Sequence, residues 1–214
     1  LFGELAVRVW FVDIAEDALR LAEPTAQQRT IRKDWLAAGD EFARADLIVG
    51  DGSINAVGSP DAADELLRLL ARTRRPGATL ALRTFVNHEL QEDVCRERLR
   101  SAFEHERFSE VRFLVYGLVA GADGRTTVAE VDRYIDALHT HLGIERSVSD
   151  RYKTAYFTWR GVPASESATI GTQMYFPSRT QFALQLQAAG LRSSTVSAGT
   201  FALAEFTPIY VVRD

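Results

Sequence analysis

Four short stretches carry the residue types that can do chemistry. Asp13 closes the apolar run "VRVWFVD", Asp34 with Trp35 follows "QQRTIRK", Asp51, Gly52 and Ser53 follow "ADLIVG", and Thr84 to His88 close "ATLALRTFV". Each lies where a strand would give way to a loop, and in an open α/β sheet ligands bind in the crevice beyond the carboxyl ends of the strands. A carboxylate has two oxygens and can accept from both hydroxyls of a ribose, a role for which Asp13 is placed. Asp34 and Trp35 together offer an acid for an exocyclic amine and an aromatic face for a purine. The glycines of "GDGSIN" let backbone approach a bound molecule closely. Each stretch also has a plainer explanation. Asp13 suits the first turn of a helix, Asp34 suits a loop beside a core Trp, and Asp-Gly is ordinary turn chemistry. The junctions inform only together.

The elements that must position them follow from periodicity. Residues 7 to 13 form a β-rich apolar run fit for a strand buried on both faces, and "AEDALRLAE" after it carries Ala18, Leu19, Leu21 and Ala22 at helical spacing. A more polar strand over 28 to 33 suits an outer position in the sheet. A short strand over 46 to 49 is broken by Gly50, Asp51 and Gly52. A helix over about 60 to 71 follows, stopped by "RRPGA" before a strand over 78 to 86. This alternation predicts a parallel sheet with right-handed crossovers and helices on both faces. Residues 1 to 6, "LFGELA", read as the last turns of a helix, so an upstream portion of the chain is expected.

Beyond Asn87 the rhythm changes. Residues 89 to 108 are a charged helix, "VRFLVYGLVAG" fits a helix or a buried strand, "TVAEVDRYIDALHTHLG" is an amphipathic helix closed by Gly143, and "DRYKTAYFTWRG" is aromatic and helical. Residues 87 to 176 are therefore expected to be a mostly helical insertion on a core formed by 1–86 and 177–214. Its aromatic residues, Tyr116, Tyr134, Tyr152, Tyr156, Phe157, Trp159, Tyr175 and Phe176, can line an apolar pocket or form the insertion's own core. Ser178 caps a further helix that Gly190 stops. Two closing strands, roughly 192 to 199 and 206 to 213, are joined too briefly for a crossover and must be antiparallel.

Composition narrows the class. A chain of 214 residues suits one large α/β domain. With 25 basic and 29 acidic residues, a formal net charge of -4 and a pI near 5.7, it is poorly suited to gripping a phosphate backbone, so no nucleic-acid partner is expected. The lone Cys95 makes no internal disulfide and has no thiolate neighbours for a metal cluster. Glu4 and Arg8 interrupt the apolar start, which supports neither signal peptide nor membrane span, and a soluble cytoplasmic protein is expected. His139 and His141 are two apart and make a poor metal pair on a helix, and no metal site is expected.

Together these segments resemble the class I S-adenosylmethionine-dependent methyltransferases over most of the chain. "VRVWFVDIAEDALRLAE" is similar to the family's second strand with its ribose-binding acid, "RKDWL" to its adenine-binding turn, and "ADLIVGDGSINAV" to its fourth strand and active-site loop. "LLARTRRPGATLALRTFV" resembles the next helix, "RPGG" turn and fifth strand, with Ala78 in place of the second Gly. The ending from Phe176 resembles the family's closing helix and antiparallel hairpin, which an ordinary Rossmann dehydrogenase lacks. The family's glycine-rich loop after its first strand is absent from the 214 residues. The resemblance implies a Rossmann-like fold and S-adenosyl-L-methionine as cofactor, held by Asp13, Ile14, Asp34, Trp35, Asp51, Gly52 and Ser53. It also implies a small-molecule acceptor under the insertion. No tetrapeptide of the "NPPY" type stands at "DGSI", which favours an oxygen, carbon or small-molecule nitrogen acceptor. Methyl transfer by in-line displacement needs alignment more than a dedicated base, and the family shares no single base. His88 and Asn55 are the positioned candidates. A nicotinamide-dependent reductase and an inactive methyltransferase-like binding protein are the alternatives, and a homodimer is left open.

Overall fold

The computed structural model describes residues 9–13, 19, 28–160, 173–196, 199–200 and 203–213. The segment 1 to 6, Ile14 and, apart from Leu19, the helix expected over 15 to 23 lie outside them.

The strands fall into two principal sheets. β1 (Val9–Asp13) pairs in parallel with β2 (Gln28–Arg32), Val9 opposite Gln28 and Asp13 opposite Arg32. β3 (Leu47–Asp51) pairs in parallel with β4 (Thr79–Arg83), Leu47 opposite Thr79 and Asp51 opposite Arg83. Two strands near the chain's end complete that sheet, Ser193–Val196 and Ile209–Val212. Numbered with the short pair described below, they are β7 and β8, and the sheet order is β3-β4-β8-β7. β8 is antiparallel to both of its neighbours, so three of the four strands run one way and the inserted β8 runs back. The closing hairpin is as expected, with shorter strands.

Between the strands lie α1 (Gly39–Phe42), α2 (Ser53–Ala56) and α3 (Pro60–Thr73). α3 starts where the sequence places it: the Ser59 hydroxyl accepts from the Ala62 amide at 3.2 Å and Pro60 takes the first turn, where its missing N–H costs nothing. Its Ala63, Leu66, Leu67 and Leu70 pack on Leu80 and Leu82 of β4 and on Tyr210 and Val212 of β8. The last helix covers the same face through Phe182 and Leu186; it spans Arg179–Ala188 and is α8 in chain order. Ser178 and Gln181 cap it reciprocally.

The charged helix expected over 89 to 108 is shorter, α4 (Glu92–Glu104), and "VRFLVYGLVAG" falls largely in a separate helix, α5 (Phe108–Val119). α6 (Val128–His141) and α7 (Arg146–Arg160) follow. These four share a second core built on Cys95, Leu99, Phe103, Leu114, Ile135 and Tyr152. The stretch also holds a small antiparallel pair, β5 (Arg125–Thr127) and β6 (Gln173–Tyr175), with Arg125 opposite Tyr175. Tyr116, Tyr152, Tyr175 and Phe176 are buried core, and Tyr134 is partly buried against it. The side chains of Tyr156, Phe157 and Trp159 lie outside the described residues.

Candidate functional site

β1 and β3 are the terminal strands of their sheets, and between them runs a groove of about 300 Å³. At the carboxyl ends of the strands its rim carries Asp13, Trp35, Asp51 and Ser53, with Glu41 and Phe42 from α1 beside them. Four of the expected site residues thus open onto one groove. Asp34 and Gly52 do not line it.

Each rim residue is placed by local chemistry. The β1–β2 ladder is prolonged by the Lys33 amide donating to the Asp13 carbonyl at 2.9 Å. This holds the end of β1 and the turn after β2 together. Asp34 caps that turn: its side chain accepts from the Leu36 amide at 2.9 Å and starts a single 3₁₀ turn over Trp35–Ala37. Asp34 is exposed, and its carboxylate is engaged as the cap of this turn. Trp35 swings back over β1, its indole N–H donating to the Val12 carbonyl at 2.7 Å, so the ring stands beside Asp13 while its polar edge is satisfied. Behind it Lys33 holds Glu41 at 2.9 Å, and that hydrogen bond lowers the Glu41 pKa from its ordinary value.

On the β3 side the turn is forced by small residues. Gly52 has φ 68°, a left-handed conformation that L side chains rarely adopt, and the ring of Phe85 lies against it. A side chain at Gly50 would run into Ser53 and Leu82. Asp51 lies across from Arg83 in the ladder, and the pair is bidentate, both contacts at 2.6 Å, with each side chain well exposed. The Arg83 guanidinium also stands 5.8 Å from the Phe85 ring centroid. The Asp51 carboxylate thus has a fixed orientation at the rim, through a partner 32 positions away that strand register alone supplies.

The two residues weighed as bases are engaged elsewhere. Asn55 is fully buried; its amide donates to the carbonyls of Phe85 and Tyr175, both at 2.7 Å, and its oxygen accepts from the Phe85 amide at 3.0 Å. Both amide hydrogens are used, and the residue fastens α2 to the end of β4 and to β6. His88 accepts from the Leu90 amide through Nδ1 at 3.1 Å, which leaves its Nε2–H to donate to the Leu114 carbonyl at 3.2 Å. Cys95 Sγ lies 3.5 Å from the same nitrogen. Burial lowers the His88 pKa from its ordinary 6.5 and pushes the Cys95 thiol up to about 11. Gly117 makes room for the ring, since any side chain there would meet it. His88 joins the segment after β4 to α5 of the helical insertion and does not border the groove. Nothing in the local sequence separates these two from groove-facing polar residues; the signal is whether their polar atoms are already satisfied.

Among the described residues, no group of three or more His, Cys, Asp or Glu side chains has the spacing to hold a metal ion, and no helix is long and apolar enough to cross a membrane.

No protein-family model matches the chain, and no curated protein matches it in sequence. Solved structures match its fold. A SAM-dependent methyltransferase from Methanosarcina mazei superposes over 96% of this chain and 81% of its own length, with a TM-score of 0.51 and 12% identity. PigF with SAH covers 99% of this chain, which spans 50% of PigF, with a TM-score of 0.50 and 9% identity. A Rhodobacter sphaeroides protein proposed as a zinc-dependent alcohol dehydrogenase covers 100% of this chain and 88% of itself, with a TM-score of 0.50 and 12% identity. Several other solved structures are much longer, the chain spanning between 40% and 53% of them. At such identities a likeness is one of architecture. The order β3-β4-β8-β7 with β8 reversed gives the chain a Rossmann-like fold similar to that of the Methanosarcina mazei methyltransferase.

Proposed function

We propose that this protein is an S-adenosylmethionine-dependent methyltransferase acting on a small molecule. The observation that carries the reading is the convergence of Asp13, Trp35, Asp51 and Ser53 on one rim at the carboxyl ends of β1 and β3. The residues present fit the nucleoside part of the cofactor. Asp13 brings a half-buried carboxylate for the two ribose hydroxyls, and Trp35, its N–H already spent on Val12, keeps its ring face for a purine. The cofactor supplies an electrophilic methyl group on a sulfonium. The chain's own contribution is to bind, orient and exclude water. Asp51, locked by Arg83, presents negative charge at the rim, and Gly52 lets backbone come close. We assign substrate choice to the insertion expected over residues 87 to 176, whose Tyr175 carbonyl is held by Asn55. No base is assigned, because the two polar residues weighed for it are held in structural bonds.

The reversed β8 favours this reading over a nicotinamide-dependent reductase. The test is mass spectrometry of ligand carried through purification, followed by titration with S-adenosylhomocysteine and, separately, NADH. Retained S-adenosylhomocysteine with no affinity for NADH is expected. Binding of NADH alone contradicts the reading, and binding of neither marks a protein that keeps the fold without the cofactor.

A further inference from the structure

A second cavity, of about 370 Å³, shares no lining residue with the groove. Three segments wall it: residues 87–89 after β4, 120–124 between α5 and β5, and 176–181 leading into α8. Hydrogen bonds tie each wall to another. The Asn87 amide donates to the Pro177 carbonyl and the Phe176 amide to the Gly124 carbonyl, both at 2.8 Å, and the Gln181 side-chain amide reaches the Ala122 carbonyl at 3.5 Å. Gly124 has φ 76°, and any side chain there would meet the Phe176 carbonyl. The cavity is therefore preformed, and its volume falls in the range of small-molecule sites, roughly 300 to 1,000 Å³.

The polar groups that line it are left over from this bonding. Glu89 has φ 50°, a left-handed conformation uncommon in a residue other than glycine, and its amide donates to the Asn87 side-chain oxygen at 3.3 Å. Among the described residues the Glu89 carboxylate has no cation partner. The basic side chains of the walls and their flanks go elsewhere: Arg125 lies 2.6 Å from Asp123, and Arg179 donates to the Glu205 carbonyl. The Asn87 NH2 group and the Thr180 hydroxyl also have no hydrogen-bond partner among the described residues. A single carboxylate without acid or imidazole neighbours does not hold a metal ion, and no such group stands here among the described residues. What it matches is an organic cation whose N–H groups donate charge-assisted hydrogen bonds.

We propose that this cavity binds a small organic ammonium ion, Glu89 pairing with its charge while Asn87 and Thr180 donate to a hydroxyl or carbonyl of the same molecule. The site stands on the cavity and its walls alone. Its role rests on the methyltransferase reading, under which the ammonium group belongs to the methyl acceptor and anchors it. The cavity lies where that role needs it, between the insertion and the segment that leaves the carboxyl end of β4. Asn87 is two residues past Phe85, whose ring lies against Gly52 next to the rim residues Asp51 and Ser53.

Titration of the isotope-labelled protein followed by amide NMR shifts tests the site. Tyramine is the probe, and tyrosol, the same skeleton with a hydroxyl in place of the ammonium, is its uncharged counterpart. Tyramine is expected to move the amides of residues 87–89, 120–124 and 178–181 with saturation in the millimolar range, and tyrosol to bind at least about ten-fold more weakly. Glu89→Gln, which keeps the shape of the side chain and removes its charge, should bring tyramine down to the level of tyrosol. Ala122→Phe, which adds bulk to a wall, should abolish binding of both. Equal affinity for the two probes, an unchanged affinity in Glu89→Gln, shifts centred on residues 10–13 and 47–53, or no saturable shift at all each overturns the proposal. S-adenosylhomocysteine reads the groove and tyramine reads the cavity. Tyramine binding without S-adenosylhomocysteine binding leaves the cation site standing and removes the methyltransferase reading; the reverse removes only the cation site.

Discussion

Ser53 and Asn55 lie two residues apart on the same short helix and serve opposite ends. Ser53 borders the groove beside Asp51, while Asn55 is fully buried and spends both amide hydrogens and its oxygen on the backbone of β4's end and of β6. The same division separates Asp13 and Trp35, on the rim, from His88, whose two nitrogens are engaged by Leu90 and Leu114. Polar residues at strand ends are thus of two kinds. Asn55 and His88 hold the insertion onto the sheet, and Asp13, Trp35, Asp51 and Ser53 border the groove. The first kind should register in stability and the second in binding.

The sharpest way to break this division is Asn55→Ala. It strands one buried backbone group at Tyr175 and two part-buried ones at Phe85, and unfolding by denaturant should show a loss of about 2 kcal/mol or more, since each unsatisfied buried group costs roughly 1 to 3 kcal/mol. A variant of unchanged stability that loses activity would move Asn55 to the other group. Asp13→Ala should do the reverse, weakening cofactor binding by about 1.5 to 3 kcal/mol, the worth of a charge-assisted bond, at little cost to folding. His88 sharpens the contrast through pH. Its folded pKa is depressed by burial, so the unfolded chain takes up a proton first as pH falls. The stability it contributes is present above its ordinary 6.5 and is lost as pH falls through the lowered folded value. Melting curves over that window should flatten in His88→Gln; an unchanged profile would mean that another group titrates there. The smallest effect is expected from Asp51→Asn. The pair with Arg83 is exposed, and stability should change by no more than about 0.5 kcal/mol. A larger loss would place Asp51 with the structural residues.

Much of the fold is legible in the sequence because its signals are local. The break of β3 at Gly50–Gly52, Ser59 and Pro60 opening α3, Ser178 opening α8, and the brief link that makes β7 and β8 antiparallel can each be read within a dozen residues. Other features depend on distance. The partners of Asn55 lie 30 and 120 positions away, and Asp51 meets Arg83 only because β3 and β4 pair in one register. The β5–β6 pair stayed hidden inside a stretch with helical periodicity, since three-residue strands are too short to show alternation. One sign of the boundary was available: Thr127 and Glu130 form a capping box that fixes where β5 ends and α6 begins. At the rim, sequence supplies the residue types and the structure sorts them. Trp35 belongs with Asp13, whereas Asp34 caps the turn that carries it.

Isothermal titration of S-adenosylhomocysteine into the protein and its Asp13→Ala variant tests the central claim most directly. Saturable one-to-one binding, weakened at least about ten-fold by the substitution while the melting temperature holds, is the predicted result. Equal affinity in the two proteins, or no heat in either, would contradict a nucleoside site on this rim.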